Sequence, residues 1–174
     1  MYLKEFIEKE RAKPLGADEV LKMSYRAALR EMDYEKLEGK SLKTLLPKTP
    51  SGILIMFTDH ANPKRPIGHF CILMRGKHGI EFFDPLGLGL RNVTSVTHSR
   101  KHLQKLLEGH DFVNNKVKYQ KLENDTNTCG RHCVTRWNCI GMTPKKYQML
   151  MHSKQLSPDE IVVMMTMDQD LTKL

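Results

Sequence analysis

No stretch of the 174-residue sequence approaches the roughly 18–20 continuous apolar residues that a membrane-spanning helix needs. The opening segment MYLKEFIEKERAK is charged where a secretory leader is apolar. These two absences lead us to expect a soluble, intracellular protein with no membrane partner. Cysteine is also scarce, with 4 in the chain, and three of them fall in the short stretch Cys129, Cys133 and Cys139. That clustering is unlike the spaced, even framework of a small secreted disulfide fold, so reduced thiols are the expectation. There is no internal repeat, no low-complexity tract and no Gly/Ser/Pro-rich linker. A single domain spanning residues 1–174 follows, with 40% hydrophobic residues giving enough apolar material for a core that is stable unaided.

Charge is plentiful but unbalanced. Lys and Arg number 28 against 20 Asp and Glu, a formal net charge of +8 and a pI near 9.3. Such a surface is compatible with polyanions, nucleic acid among them. The basic residues are spread through NPKRP, SRKH, NNKVKYQK and TPKKYQ rather than gathered in one run, which fits a solvated surface equally well.

Residues 1–46 read as a helical N-terminal region, with Leu, Met and Ala at three- and four-residue spacing in ADEVLKMSYRAALREM. After the breaker LPKTPSG, ILIMF (53–57) reads as a buried strand, ILM within GHFCILMRG as a second, and IEFFD as its return after a tight GKHG turn. Beyond PLGLG, SVTHSRKHLQKLLEG predicts a helix and NKVKYQKL a strand. The cysteine segment then opens a helix, and TPKKYQMLM and SPDEIVVMM carry a Thr or Ser cap followed by Pro at the first helical position. The expected class is α+β: a small, mostly antiparallel sheet of consecutive strands flanked by helices, with a core over 50–140 and C-terminal helices over 141–174.

The chemistry concentrates in ENDTNTCGRHCVTRWN (123–138). A thiol is a good nucleophile only as thiolate, and the unpaired N–H groups of a helix start favour that form. With Asn127 or Thr128 as cap, Cys129 falls in the first turn, and Gly130 beside it lets a substrate approach the backbone. Cys133 shares a stripe with Trp137 and Ile140 and reads as core. A nucleophile needs a base and the base an orienter. If Lys77 and His78 are the two turn residues of the hairpin, Cys71 lies opposite Asp84, and His69 is diagonal to Asp84 on the same face. A one-residue bulge would break that relation. An oxyanion in acyl transfer calls for a backbone N–H, which Cys129 supplies at the helix start, and a side-chain amide, for which Gln120 is the candidate.

His in GHF, Asp in FFDPLG, Gln in YQKLENDTNTCG and Cys in TCGRHC, in that order over residues 50–140, resemble the adenovirus-type maturation cysteine proteases, including the versions found in virophages, polinton-like elements and large DNA viruses. The resemblance implies a papain-like site on the fold shared with SUMO- and ubiquitin-like-protein proteases. His69 would then be general base, Asp84 its orienter, Cys129 the nucleophile and Gln120 the oxyanion amide. It further implies an endopeptidase that processes capsid and virion precursors at sites containing small residues, often Gly, acting at the virus assembly site and in the virion. In the adenoviral enzymes a short viral peptide and DNA act as cofactors; this sequence by itself requires none. Two features depart from the pattern. Phe70 stands where Trp is common, and the interval from Gln120 to Cys129 is longer than in adenoviral members, so the Gln120 role requires that the loop fold back.

Other readings of the same residues stay open at this stage. A deconjugating protease for a ubiquitin-like modifier shares fold and triad. Cys129, His132, Cys133 and Cys139 form a C-x2-H-C-x5-C string of zinc-ligand types, although Cys139 lies off the helical face of the other three. A basic, non-catalytic nucleic-acid-binding domain would make the cysteines core. His132, three residues after Cys129, is a rival to His69 as base.

Overall fold

A computed structural model describes residues 3–58, 68–152 and 155–171. Five strands form one sheet in sequence order: β1 (Leu29–Asp33), β2 (Ser51–Thr58), β3 (Gly68–Gly76), β4 (Gly79–Phe83) and β5 (Phe112–Asn114). The two central pairings, β2 with β3 and β3 with β4, are antiparallel, whereas both edge strands pair in parallel. The sheet is therefore mixed rather than mostly antiparallel. A hairpin suffices for the first kind of pairing, but a parallel neighbour needs a crossover of about a dozen residues or more. Residues 34–50, with a 3-10 turn at Tyr34–Leu37 and the short helix α3 (Leu42–Leu45), form one crossover. Helices α4 (Gly89–Val96) and α5 (His102–Leu107) form the other.

Alternation along β2 and β3 feeds two cores. Leu54, Phe70, Ile72 and Met74 join a cluster with Cys133, Val134, Trp137 and Tyr147. Ile53, Ile55, Phe57, Cys71 and Leu73 join another with Tyr34, Leu45, Val93 and Leu103. Both faces of the central strands are covered, which explains why they read as continuous apolar runs. On the first face lie α1 (Leu3–Ala12), α2 (Ala17–Lys22), α6 (Cys129–Asn138), α7 (Pro144–Met151) and α8 (Pro158–Leu171).

Three expectations from spacing are corrected. Residues 1–46 are not wholly helical, because 29–33 form the edge strand β1. The chain leaves the helical path at 24–26, where Tyr25 N–H and Arg26 Nε bind the Asn138 side chain and carbonyl at 2.9 and 3.0 Å and Trp137 Nε1 donates to Ser24 Oγ at 3.0 Å. The helix expected over 95–109 breaks between α4 and α5, with His98 in the left-handed region at φ 53. Residues 115–122 lie outside the sheet. Asn115 turns the chain by donating to the Asp84 and Val117 carbonyls, and the N–H groups of Tyr119 and Gln120 both go to the Pro85 carbonyl at 2.9 Å. The capped starts of α7 and α8 are as expected: Lys146 N–H binds Thr143 Oγ1, and Ser157 and Glu160 cap each other. The basic NPKRP stretch falls outside the described residues.

Candidate active site

The β3–β4 hairpin closes on Lys77 and His78, with Gly76 opposite Gly79 and Ile72 opposite Phe83. No bulge intervenes, and continuing the register sets Cys71 opposite Asp84. His69 Nε2 then lies 2.8 Å from Asp84 Oδ1. Asp84 is fully buried just past the end of β4, where Leu86 N–H binds Oδ1 at 3.0 Å and Leu88 N–H binds Oδ2 at 2.9 Å. Those two amides fix the carboxylate, and the carboxylate fixes the ring.

The other side of the ring meets Cys129, the first residue of α6. Burial opposes a charge on His69, but hydrogen bonds to Asp84 and to Cys129 outweigh it and push the imidazole pKa up to about 9. For the Cys129 thiol, burial again opposes ionisation, while the His69 hydrogen bond and charge, with N–H groups of Phe70 and Gly130 directed at the sulfur, bring its pKa below the ordinary thiol value. The pair therefore favours thiolate beside imidazolium. Burial raises the pKa of the other three thiols.

Cys129 opens onto a groove of about 360 Å3 lined by Pro14 and Leu15, by Met56 and Thr58 of β2, by Gly68 and Phe70 of β3, and by Asn127 and Gly130. One wall is thus the turn after α1, tied down by Asn127, whose N–H and side-chain amide donate to the Arg11 and Ala12 carbonyls. Gly130 has a packing reason beyond access: a Cβ there would lie 2.4 Å from Val20 Cγ2.

Gln120 is buried, and its Nε2 donates to the Thr126 carbonyl at 3.3 Å. The segment from Gln120 to Cys129 folds back on itself through this bond and through Asp159. Asp159 accepts from Lys121 N–H at 3.0 Å and from the Thr128 hydroxyl. Thr128 is the N-cap residue of α6, yet its side chain does not cap; it is committed to Asp159.

With this geometry in place, comparison with known proteins gives one informative relative. Uncharacterized protein V9 of Sputnik virophage is 30% identical in an alignment spanning 84% of this chain and 98% of the relative. This chain belongs to the V9 family. The relative points to a viral, virophage-type origin. No protein-family model matches the chain.

In this V9-family chain the zinc-type string does not converge. Cys129 faces His69, His132 Nε2 donates to Asp159 Oδ1 at 3.1 Å, and Cys133 Sγ lies 3.4 Å from the Phe70 carbonyl. Among the described residues, the metal-ligand types whose donor atoms gather, within 4.8 Å of one another, are His69, Cys71 and Asp84. His132 is fully buried, burial lowers its pKa, and its partner is Asp159, so the structure directs it away from the thiol it was a rival to activate. Sequence reasoning missed Asp159, which reads in SPDE as an ordinary first-turn acid. It also missed the Arg136–Glu81 pair, two charges 55 positions apart in the chain.

Away from the Cys129 groove, a larger hollow of about 880 Å3 lies between α4, α5 and β5 and adjoins a second of about 530 Å3. Its cations are Arg91, Lys101, Lys105 and Lys116, with Glu108 as the acid. None of these four cations makes an ion pair among the described residues. No helix among the described residues is long and apolar enough to cross a membrane.

Proposed function

We propose that this protein is a cysteine endopeptidase that processes virion precursor proteins during maturation, on a papain-like arrangement of residues. The observation that carries the reading is His69 held between buried Asp84 and Cys129, the latter at the start of a ten-residue helix. The Cys129 thiolate adds to the scissile carbonyl carbon, and the developing oxyanion is met by the Cys129 N–H and the Gln120 amide. The His69 imidazolium gives its proton to the leaving amine, the C–N bond breaks, and a thioester to Cys129 remains. His69, now neutral, takes a proton from water as the hydroxyl adds to the thioester; collapse frees the new carboxyl terminus and the thiolate, with the imidazolium restored. Asp84 holds the ring in the required tautomer throughout.

The open groove at Cys129, with Gly68 and Gly130 in its lining, suits an extended chain whose backbone comes close to the thiol. Precursor segments with Gly-containing sites have that shape. The cationic hollow at Arg91, Lys101, Lys105 and Lys116 is a suitable face for non-specific contact with DNA at the assembly site and in the virion.

Peptides covering the virion precursor proteins, incubated with wild-type protein and with Cys129→Ala, His69→Ala and Asp84→Asn, test the reading. Cleavage is expected for wild type, none for the first two, and a loss of about 10²-fold or more for Asp84→Asn, where the tautomer-setting carboxylate is gone. Cleavage surviving in Cys129→Ala would sink the proposal, and activity kept in His69→Ala but lost in His132→Ala would reassign the base.

A further inference from the structure

The segment between Gln120 and Cys129 is irregular, and one buried side chain holds both of its ends. Asp159, fully buried in the first turn of α8, accepts Lys121 N–H on Oδ2 at 3.0 Å; on Oδ1 it accepts the Thr128 hydroxyl and His132 Nε2, the latter at 3.1 Å. Lys121 directly follows Gln120, and Thr128 directly precedes Cys129. A single carboxylate from the C-terminal helix therefore fixes the separation between the candidate oxyanion amide and the helix start that carries the thiol. It touches neither His69 nor Asp84. Among the described residues the remaining ties of the segment are the Gln120 and Asn127 bonds already described, an exposed Lys121–Glu123 ion pair at 3.9 Å and one local turn, Thr126 N–H to the Glu123 carbonyl at 3.1 Å. None of these spans Lys121 to Thr128.

The chemistry of the clasp suits a carboxylate. Three donors converge on it, and a carboxylate is acceptor-only, with lone pairs for all three. Burial raises its pKa, but the bonds from His132, Thr128 and Lys121 outweigh burial and keep it ionised. An amide would turn its own N–H groups toward at least one of those donors.

We propose that Asp159 is a positioning residue for acyl transfer: through Lys121 and Thr128 it holds Gln120 and the N-terminus of α6 at the spacing an oxyanion requires, which makes the C-terminal helix part of the working site. The inference rests on the endopeptidase reading and deepens it. Because the oxyanion exists only in the transition state, loosening the clasp reduces kcat and leaves KM and thiol activation alone.

The variants Asp159→Asn, Thr128→Val and Thr128→Ser separate positioning from mere folding. Expected for Asp159→Asn and Thr128→Val is a kcat loss of about 10–100-fold, somewhat below the cost of deleting an oxyanion donor outright. KM and the rate of Cys129 alkylation should stay within about twofold, since the His69–Asp84–Cys129 contacts are untouched. Thr128→Ser, which keeps a hydroxyl, should recover most of the turnover. The double variant Asp159→Asn/Thr128→Val should be no worse than the poorer single one, as for residues of one unit. Wild-type kcat in Asp159→Asn overturns the inference, as does a kcat loss matched by an equal loss of alkylation rate. Amide hydrogen exchange supplies a readout independent of turnover. Should wild type cleave no precursor peptide, the endopeptidase reading fails; the clasp is then judged by exchange alone, faster exchange confined to 121–128 in Asp159→Asn supporting it and unchanged exchange refuting it.

Discussion

The His69 ring has a carboxylate on one side and a thiol on the other, and both favour its charged form against the burial that opposes it. Asp84 stabilises the charged ring, whose pKa is pushed up to about 9, and the charged ring in turn lowers that of Cys129. In sign, the imidazolium is present below about 9 and is lost as pH rises through that value, whereas the thiolate appears as pH rises through a value below the usual thiol range. The ion pair occupies the window between, and the two apparent constants belong to the pair. At about pH 6 an ordinary thiol of pKa about 8.5 is only about 0.3% thiolate. There, mass spectrometry after brief alkylation should find Cys129 labelled at least about tenfold faster than Cys71, Cys133 and Cys139, an advantage abolished by His69→Ala. Cleavage should fall again as pH passes about 9 and the proton needed by the leaving amine is lost. Equal labelling of Cys129 and Cys139 at pH 6 would mean the thiol is not activated.

Helix α6 is buried almost all the way round, from Gly130 through Trp137, although its sequence contains two arginines, Arg131 and Arg136. Each has found an acid on a different element. Arg131 Nη2 meets Glu10 of α1 at 2.5 Å, and Arg136 forms a two-pronged pair with Glu81 of β4 at 2.9 and 2.6 Å. Arg136 also donates to the Cys139 and Met142 carbonyls and lies 5.0 Å above the Tyr147 ring. Its guanidinium thus joins the sheet, the end of α6 and the approach to α7. Removing one member of a buried pair leaves the other charge uncompensated, at a cost of about 3–5 kcal/mol. Arg136→Met should lower unfolding free energy by that amount in denaturant titration, and Arg136→Met/Glu81→Leu should recover at least about half of it. A single variant within about 1 kcal/mol of wild type would show that the pair does not anchor the helix.

Across the whole molecule the excess of positive charge is sorted by the fold. SRKH and NNKVKYQK are separate in the sequence, but the α4–α5 crossover and β5 bring Arg91, Lys101, Lys105 and Lys116 around one hollow. If DNA lies there, each phosphate contact contributes about 0.9 to the slope of log affinity against log salt. Lys101→Glu/Lys105→Glu should weaken DNA binding and flatten that slope by roughly 2, while leaving peptide cleavage at low salt intact; an unchanged slope would place DNA elsewhere or nowhere on the protein. Much else at this scale was legible beforehand. Apolar runs announced β2 and β3, Gly-Lys-His-Gly fixed the hairpin register, and thereby His69 diagonal to Asp84 on one face, while Thr-Pro and Ser-Pro marked α7 and α8. Each of these is local, set by turn chemistry or by a strand's own side chains. The edge strand β1 was hidden, because helical spacing in 17–32 is overridden by pairing with β2 and by ties to the end of α6. Residues 115–122 look like a strand by alternation, but the N–H groups of Tyr119 and Gln120 go to the Pro85 carbonyl, that of Val117 to the Asn115 side chain and that of Lys121 to Asp159. The sequence by itself determined which residues could supply a thiol, an imidazole and a carboxylate, and that one hairpin would join the last two. Only the tertiary structure decided that α6 delivers Cys129 to that hairpin, that Pro14 and Leu15 wall the groove, and that Asp159 closes the loop behind Gln120. Those contacts join residues far apart in the chain, and no local pattern encodes a partner that distant.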